Sequence, residues 1–136
     1  MSNPAVRITP RVSVVLASRG ELRTLNTALA ALQPAAEARD VEVVVVRAGN
    51  PAGVLTGGVV RVIAAPADAS AASLRAMGMR EAKGDVVILT DDDSAIHEPW
   101  AETLARRSGS DPRPHGSLDL QTTLAAFGIL APGTDR

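Results

Sequence analysis

Short apolar runs rich in β-branched residues recur along the chain. They cover residues 12–16, 41–46, 59–64 and 86–90, and polar or turn residues bound each one. This pattern predicts β-strands. Because the runs are apolar on both faces, whereas a sheet with one wet face alternates, they predict a mainly parallel sheet that is covered on both sides.

Two segments between these runs have apolar residues at helical spacing. Residues 21–32 predict an amphipathic helix, and Pro34 follows where we expect this helix to end. Residues 70–82 predict a second helix, which Lys83 and Gly84 are suited to terminate. The repeated order of strand, helix and strand predicts an α/β domain with a three-layer, Rossmann-like architecture.

The rest of the chain divides into a loop, a short helix, a linker and a tail. Residues 47–58 carry several glycine turn signals and predict a loop or one helical turn. Residues 99–107 predict a helix with proline near its start and arginines in its last turn. We therefore expect a domain over 11–107, a linker over 108–117, and a tail with a short helix over 118–136.

Composition narrows the class of protein. The chain has 136 residues, of which 46% are hydrophobic and 1% aromatic, and these values fit one domain with an aliphatic core. The net charge is -1, so neither nucleic acid nor an anionic membrane is an expected partner. The absence of cysteine excludes disulfides and a thiol nucleophile. No apolar run approaches the roughly 20 residues that cross a bilayer, and the start lacks a secretory signal, so we expect a cytoplasmic protein.

An acidic run, Asp91, Asp92 and Asp93, directly follows the last predicted strand. In open parallel sheets, ligands bind beyond the carboxyl ends of the strands, where the strand order reverses. Adjacent carboxylates repel one another and gain from a cation, a basic neighbour or solvent. On an extended segment Asp91 and Asp93 would converge while Asp92 turned aside. Two carboxylates and a diphosphate suit Mg²⁺ or Mn²⁺, and a solvated acidic turn is the alternative.

The segments VSVVLASRGELRTLNTALAAL, VEVVVVRAGN, LRAMGMREAKGDVVILTDDD and EPWAETLARR follow one another in a characteristic order. The most specific part is the spacing from MREAKGD through a strand to the acidic run, with proline and tryptophan just beyond. In these features the chain resembles the amino-terminal half of a family 2 inverting glycosyltransferase of the GT-A fold. The resemblance covers about residues 11–107 and implies a GT-A-type domain.

The resemblance implies a site for a nucleotide-diphosphate sugar and a divalent cation, Mn²⁺ or Mg²⁺. Asp91 would face the ribose, and Asp93 would bind the cation that takes up charge on the departing nucleoside diphosphate. Arg75 would contact phosphate in a bidentate manner, with a surface charge as the alternative. The implied donor-binding residues are Ala17, Ser18, Arg19, Arg47, Arg75, Asp91 and Asp92, and the implied metal ligands are Asp91 and Asp93.

Several of these residues also have a structural interpretation. Ser18 is expected to cap the following helix, with the contact to the nucleoside that the resemblance implies as the alternative. Trp100 is expected to pack its helix onto the sheet, with shielding of a sugar as the alternative. His97 follows the acidic run and is expected to be an exposed loop residue, with an approach to the metal as the alternative.

The chain departs from the family pattern in two respects. Arg47 stands after the second strand, where family members usually carry a carboxylate that contacts the nucleobase. Arg47 could attract phosphate, or pair with an aspartate in place of the cation. The family also continues into an acceptor surface with a catalytic carboxylate. We therefore expect a minimal or incomplete transferase, completed by self-association or by a second protein, with a non-catalytic binding or regulatory module as the alternative.

The linker and tail contain candidates for a general base and an apolar stripe, but no recognisable motif. An inverting transfer needs a general base near the acceptor hydroxyl. An apolar stripe in the tail is expected to cover the chain's own sheet, with a partner-binding helix as the alternative. The candidate bases are Asp111, His115, Asp119 and Asp135, and the stripe comprises Leu118, Leu120, Leu124 and Phe127.

Overall fold

The sheet confirms the predicted α/β class and is parallel throughout. The computed structural model describes residues 11–107, so the predicted linker and tail, with their candidate residues, lie outside the described part. The strands are β1 (Val12–Ser18), β2 (Glu42–Ala48), β3 (Val60–Ala65) and β4 (Val86–Asp91). They lie in the order β3-β2-β1-β4, and each neighbouring pair is parallel.

Helices cover both faces of this sheet. They are α1 (Leu22–Ala38), α2 (Ala71–Glu81), α3 (Asp92–Ile96) and α4 (Trp100–Ala105). Val14 and Leu16 of β1 pack in the core on the side of α1, α3 and α4, whereas Val15 and Ala17 pack in the core on the side of α2. Because parallel crossovers are right-handed and the two connections run in opposite directions across the sheet, α1 and α2 lie on opposite faces.

Helix α1 is longer than its sequence pattern predicts. It continues through Pro34 to Ala38, so the expected end before Pro34 is wrong. Proline removes one helical hydrogen bond, but the carbonyl that loses its donor belongs to Ala30, which is exposed to solvent. Continuation of the helix buries Ala36 completely in the core. The apolar contact on one face thus compensates for a missing bond on the other.

Helix α2 lies close to the sheet because it carries a glycine at the contact. A Cβ atom at Gly78 would overlap with Cγ1 of Val15 on β1 and lie 3.2 Å from Cγ2 of Val46 on β2. The absence of a side chain therefore sets the distance between α2 and the two central strands. The position of α2 in turn places Arg75 near the carboxyl ends of the strands.

The connection from β2 to β3 is a loop, as predicted. It packs against α1, because the side chain of Asn26 donates to the carbonyl of Gly53 at 3.0 Å and accepts from the backbone of Leu55 at 2.9 Å. Val54 is buried in the core beneath it. Among residues 11–107, no helix combines the length and apolarity that a membrane span requires.

Candidate functional site

The strand order reverses between β1 and β4. From β1 the chain passes outward to β2 and β3, and it then returns to the opposite side of β1 to form β4. Ala17 of β1 is paired with Asp91 of β4, so the two strands end side by side. Ligands of open parallel sheets bind in the crevice at such a point. The acidic run thus lies where the fold favours a ligand.

A cleft of about 320 Å³ opens between these strand ends and the start of α2. We call it the switch-point cleft. It brings together cationic and anionic side chains that are far apart in the sequence. Its lining residues are Ala17, Arg19, Gly20, Ala71, Arg75, Asp91, Asp92 and Asp93.

The acidic run bends into a helix, so the extended geometry expected for it is not found. Strand β4 ends at Asp91, and helix α3 begins at Asp92. The Oδ1 atom of Asp91 accepts a hydrogen bond of 2.8 Å from the backbone of Ser94 and caps the helix. Asp93 lies exposed in the first turn, where a negative charge is favourable. The neighbouring carboxylates therefore have three different environments: a cap, a buried position and solvent.

Asp92 occupies the buried position, with 5% of its surface exposed. Its Oδ2 atom accepts hydrogen bonds from the hydroxyl of Ser18 at 3.0 Å and from the backbone of Gly20 at 3.3 Å. A buried carboxylate is stable only when donors or cations compensate its charge. Residues at and just beyond the end of β1 therefore supply the hydrogen-bond donors that the buried carboxylate of Asp92 requires.

Arg47 lies behind this contact rather than in the cleft. Its Nη1 atom donates to the hydroxyl oxygen of Ser18 at 2.8 Å and to the carbonyl of Gly20 at 2.6 Å. Within residues 11–107 it forms no direct ion pair with an aspartate, and it reaches Asp92 through Ser18. The Nε atom of Arg47 is buried, and no atom of residues 11–107 forms a hydrogen bond with it.

Ser18 does not cap a helix, in contrast to the favoured interpretation. It is the last residue of β1 and is completely buried between Arg47 and Asp92. The N-cap of α1 is Glu21, which forms no side-chain capping bond. Neither Ser18 nor Arg47 is among the described residues that line the switch-point cleft.

The cationic side of the cleft comes from Arg19 and Arg75. Arg19 is exposed beyond the end of β1, and Arg75 is half-buried on α2. A guanidinium group binds phosphate in a bidentate manner, and both arginines border the same space as Asp91 and Asp93. The cleft therefore presents groups for an anion and for a cation side by side.

A divalent cation fits this cleft only together with a ligand. Among residues 11–107, no group of three or more His, Cys, Asp or Glu side chains is arranged to hold a metal ion. One oxygen of Asp91 is engaged in capping α3, and Asp93 is exposed. Mg²⁺ commonly binds through one or two carboxylates, with phosphate oxygens and water completing its coordination. The carboxylates present suit that mode.

Trp100 has the structural role that was expected for it. It is 3% exposed, belongs to the core beside α1, and donates from Nε1 to the carbonyl of Ala95 at 3.0 Å. Its ring therefore holds α3 and α4 together and does not face the cleft. His97 is exposed at the end of α3 and does not line the cleft either.

Two lining residues had no role assigned from the sequence, Gly20 and Ala71. A Cβ atom at Gly20 would lie 3.3 Å from Oδ2 of Asp92, so a small residue suits the close approach of the two strand ends. The signal in the sequence was a glycine four residues after the end of the predicted strand over 12–16. Ala71 carries no signal other than its place at the start of a helix.

No protein-family model, curated protein or solved structure matches the chain. The fold class follows from the strand order and the helices on both faces of the sheet. The chemistry of the switch-point cleft follows from the charged side chains that line it.

Proposed function

We propose that the chain binds the diphosphate of a nucleotide sugar, together with Mn²⁺ or Mg²⁺, in the switch-point cleft. It would serve as the donor-binding domain of a family 2 glycosyltransferase-like protein. One observation carries this proposal: Arg19 and Arg75 face the same cleft as Asp91 and Asp93. A diphosphate needs positive partners and a divalent cation needs oxygen ligands, so a diphosphate with its cation satisfies both sets of residues.

Five of the lining residues have a direct role in this proposal. Asp93 binds the cation, and the carboxylate of Asp91 contacts the ribose or shares the cation. Arg75 holds the phosphates from the side of α2, while Arg19 contributes from the end of β1. Ala17 keeps the floor of the cleft low at the point where β1 meets Asp91. A bound cation supplies stabilisation of the charge that develops on a departing nucleoside diphosphate.

The size of the cleft favours part of a nucleotide sugar as the ligand. Its volume of about 320 Å³ lies at the lower end of the range of small-molecule pockets, which is roughly 300–1,000 Å³. A diphosphate with an adjoining sugar or ribose fits such a space. We propose that an acceptor site would be completed by self-association or by a second protein.

A second candidate is a non-catalytic module that binds a nucleotide for regulation. The observation that favours it is the placement of Arg47 at the end of β2. Its guanidinium group is held by Ser18 and Gly20, and it occupies the position where the resembling family usually has a base-binding carboxylate. This candidate predicts nucleotide binding without sugar transfer.

Thermal unfolding in the presence of ligands tests the proposal. UDP, GDP and their sugars are added to the full chain with and without Mn²⁺. A ligand that binds only the folded state stabilises it by about 2.7 kcal/mol at a hundredfold excess over its Kd. We expect a Mn²⁺-dependent rise in Tm that Asp93→Ala abolishes.

The matched control is Asp68→Ala, because Asp68 is also exposed but lies outside the switch-point cleft. This variant should retain the full rise in Tm. If none of the nucleotides raises the Tm of the unaltered chain with Mn²⁺, the proposed donor site is wrong. If a nucleotide raises the Tm equally with and without Mn²⁺, the regulatory candidate is favoured.

A further inference from the structure

We infer that Arg47 is a positioning residue for the switch-point cleft. It acts through Ser18 and Gly20 on the buried carboxylate of Asp92, and thereby fixes the start of the helix that carries the neighbouring aspartates. Its effect on ligand binding rests on the proposed function. The contact between Arg47 and Asp92 can be tested without any ligand.

The direction of the hydrogen bonds follows from the chemistry of the three side chains. Arginine can only donate, so the hydroxyl oxygen of Ser18 must accept from Arg47. A serine hydroxyl has one proton, which remains available for Oδ2 of Asp92. Arg47 therefore fixes the hydroxyl of Ser18 in the orientation that Asp92 needs.

The second donor to Asp92 is controlled by the same nitrogen atom. Nη1 of Arg47 also binds the carbonyl of Gly20 at 2.6 Å, and the backbone N–H of Gly20 donates to Oδ2 of Asp92 at 3.3 Å. Arg47 thus holds the hydroxyl of Ser18 directly and binds the carbonyl of Gly20, the residue whose N–H is the second donor to Asp92. Removal of Arg47 would release the two donors together and leave a carboxylate with 5% exposure without fixed partners.

Because α3 is short, a change at Asp92 should also affect the two aspartates that line the cleft beside it. This helix contains only five residues, and Asp92 is the first of them. Asp91 caps the helix and Asp93 lies in its first turn, so both move with Asp92. When the donors of Asp92 are lost, we expect the proposed ligands of the cation to lose their fixed spacing.

The three arginines at this end of the sheet have two different tasks: Arg47 compensates a buried carboxylate, whereas Arg19 and Arg75 line the cleft. The guanidinium group of Arg47 compensates Asp92 from behind Ser18, away from the cleft lining. Arg19 and Arg75 remain beside the space that a phosphate would occupy. Loss of Arg47 should therefore weaken cation binding without removing a direct phosphate contact.

The test compares Arg47→Met with Arg23→Met in the full chain. Methionine keeps an unbranched apolar stem but has no donors, and Arg23 is an exposed residue of α1 outside the cleft. The first measurement is amide hydrogen exchange without ligand. Arg47→Met should accelerate exchange at Gly20, while the amide of Leu74, which donates to the carbonyl of Ser70 in α2, keeps its protection.

The second measurement is the Mn²⁺ concentration that gives half of the nucleotide-dependent rise in Tm. Changes of residues that orient metal ligands weaken metal affinity by about 10-fold to 100-fold, and we expect Arg47→Met to raise this concentration by about 10-fold. Arg23→Met should leave it unchanged. A merely structural role of Arg47 would lower the Tm of the free protein but leave the Mn²⁺ concentration unaltered.

A double-mutant cycle with Asp92→Asn tests whether Arg47 affects cation binding through Asp92. If Arg47 acts through Asp92, Arg47→Met should raise the Mn²⁺ concentration much less in the Asp92→Asn background than in the unaltered chain. Equal effects in both backgrounds would overturn the inference. Unchanged exchange at Gly20 in Arg47→Met would overturn it as well.

The two proposals can fail separately. If the unaltered chain shows no Mn²⁺-dependent binding of any nucleotide, the proposed function is wrong, and the exchange at Gly20 still decides whether Arg47 fixes Asp92. If the unaltered chain binds nucleotide with Mn²⁺ and Arg47→Met binds it with the same Mn²⁺ dependence, only the role of Arg47 is wrong.

Discussion

The hydroxyl of Ser18 donates to the buried carboxylate of Asp92 across 3.0 Å and joins the ends of β1 and β4. The two residues are 74 positions apart in the sequence. Their contact holds the middle member of the acidic run buried at the wall of the switch-point cleft, which its two neighbours also line. A buried hydrogen bond thus separates the structural carboxylate from the two that are available to a ligand.

Arg75→Met should weaken nucleotide diphosphate binding by removing a charged donor from the cleft. Hydrogen bonds to charged groups contribute about 1.5–3 kcal/mol, so we expect a loss of at least about 10-fold in affinity. Titration calorimetry with UDP and Mn²⁺ measures this loss. Arg80→Met is the matched control on the same helix, since Arg80 is exposed and does not line the switch-point cleft. Equal affinities for the two variants would contradict the role of Arg75.

Removal of the nucleotide should nearly abolish metal binding. The cleft offers Asp91 and Asp93, whereas Oδ2 of the third lining carboxylate, Asp92, accepts from Ser18 and Gly20. Within the described residues, no group of three or more His, Cys, Asp or Glu side chains is arranged to hold a metal ion. Phosphate oxygens must then supply further ligands for the cation. We expect Mn²⁺ alone to leave the Tm almost unchanged and Mn²⁺ with UDP to raise it. An equal rise with Mn²⁺ alone would indicate a metal site that needs no nucleotide.

Gly78→Ala should destabilise the fold, although alanine favours helices. Alanine is normally better than glycine inside a helix by about 0.5–1 kcal/mol. Here the added methyl group would overlap with Val15 of the central strand, and overpacking typically costs about 1–3 kcal/mol. Urea unfolding should therefore show a lower free energy of unfolding. Ala72→Ser, at an exposed position of α2, should change it much less. A more stable Gly78→Ala would show that α2 does not pack so closely.

Pro34→Ala should stabilise the fold. Pro34 lies exposed inside α1, where proline is about 3 kcal/mol less favourable than alanine. The rigidity of proline in the unfolded chain offsets part of this difference, so we expect a gain of about 1–2 kcal/mol. Urea unfolding measures the gain. No change, or a loss of stability, would indicate that α1 does not continue through this position as a regular helix.

The strands and their alternation with helices along the chain were predictable because local patterns encode them. Each apolar run is closed by polar or turn residues, and the acidic run was expected at the end of β4, where Asp91 does lie. Helix α2 was also predicted nearly to its ends, since its apolar stripe is followed by Lys83 and Gly84. These features depend on residues that are close in the sequence.

The features that the sequence pattern missed are either too short to show a helical period or depend on distant contacts. Helix α3 has only five residues, too few for a helical period to be recognised. The burial of Asp92 needs Ser18 and Gly20, which lie 74 and 72 positions earlier in the sequence. The continuation of α1 through Pro34 depends on the core that Ala36 enters. Local propensity could not reveal any of the three.

The most direct measurement is the effect of paramagnetic Mn²⁺ on the amide NMR signals of the full chain with UDP. Because the broadening falls steeply with distance from the ion, it reports where the ion binds. We expect broadening at the amides of Gly20 and Ala71, which line the cleft, and at that of Ser94, which donates to Asp91. The amide of Gly84, which bonds to Ser13 near the start of β1, should stay sharp. Broadening at Gly84 with sharp signals around the cleft, or no broadening at all, would contradict a cation-dependent diphosphate site there.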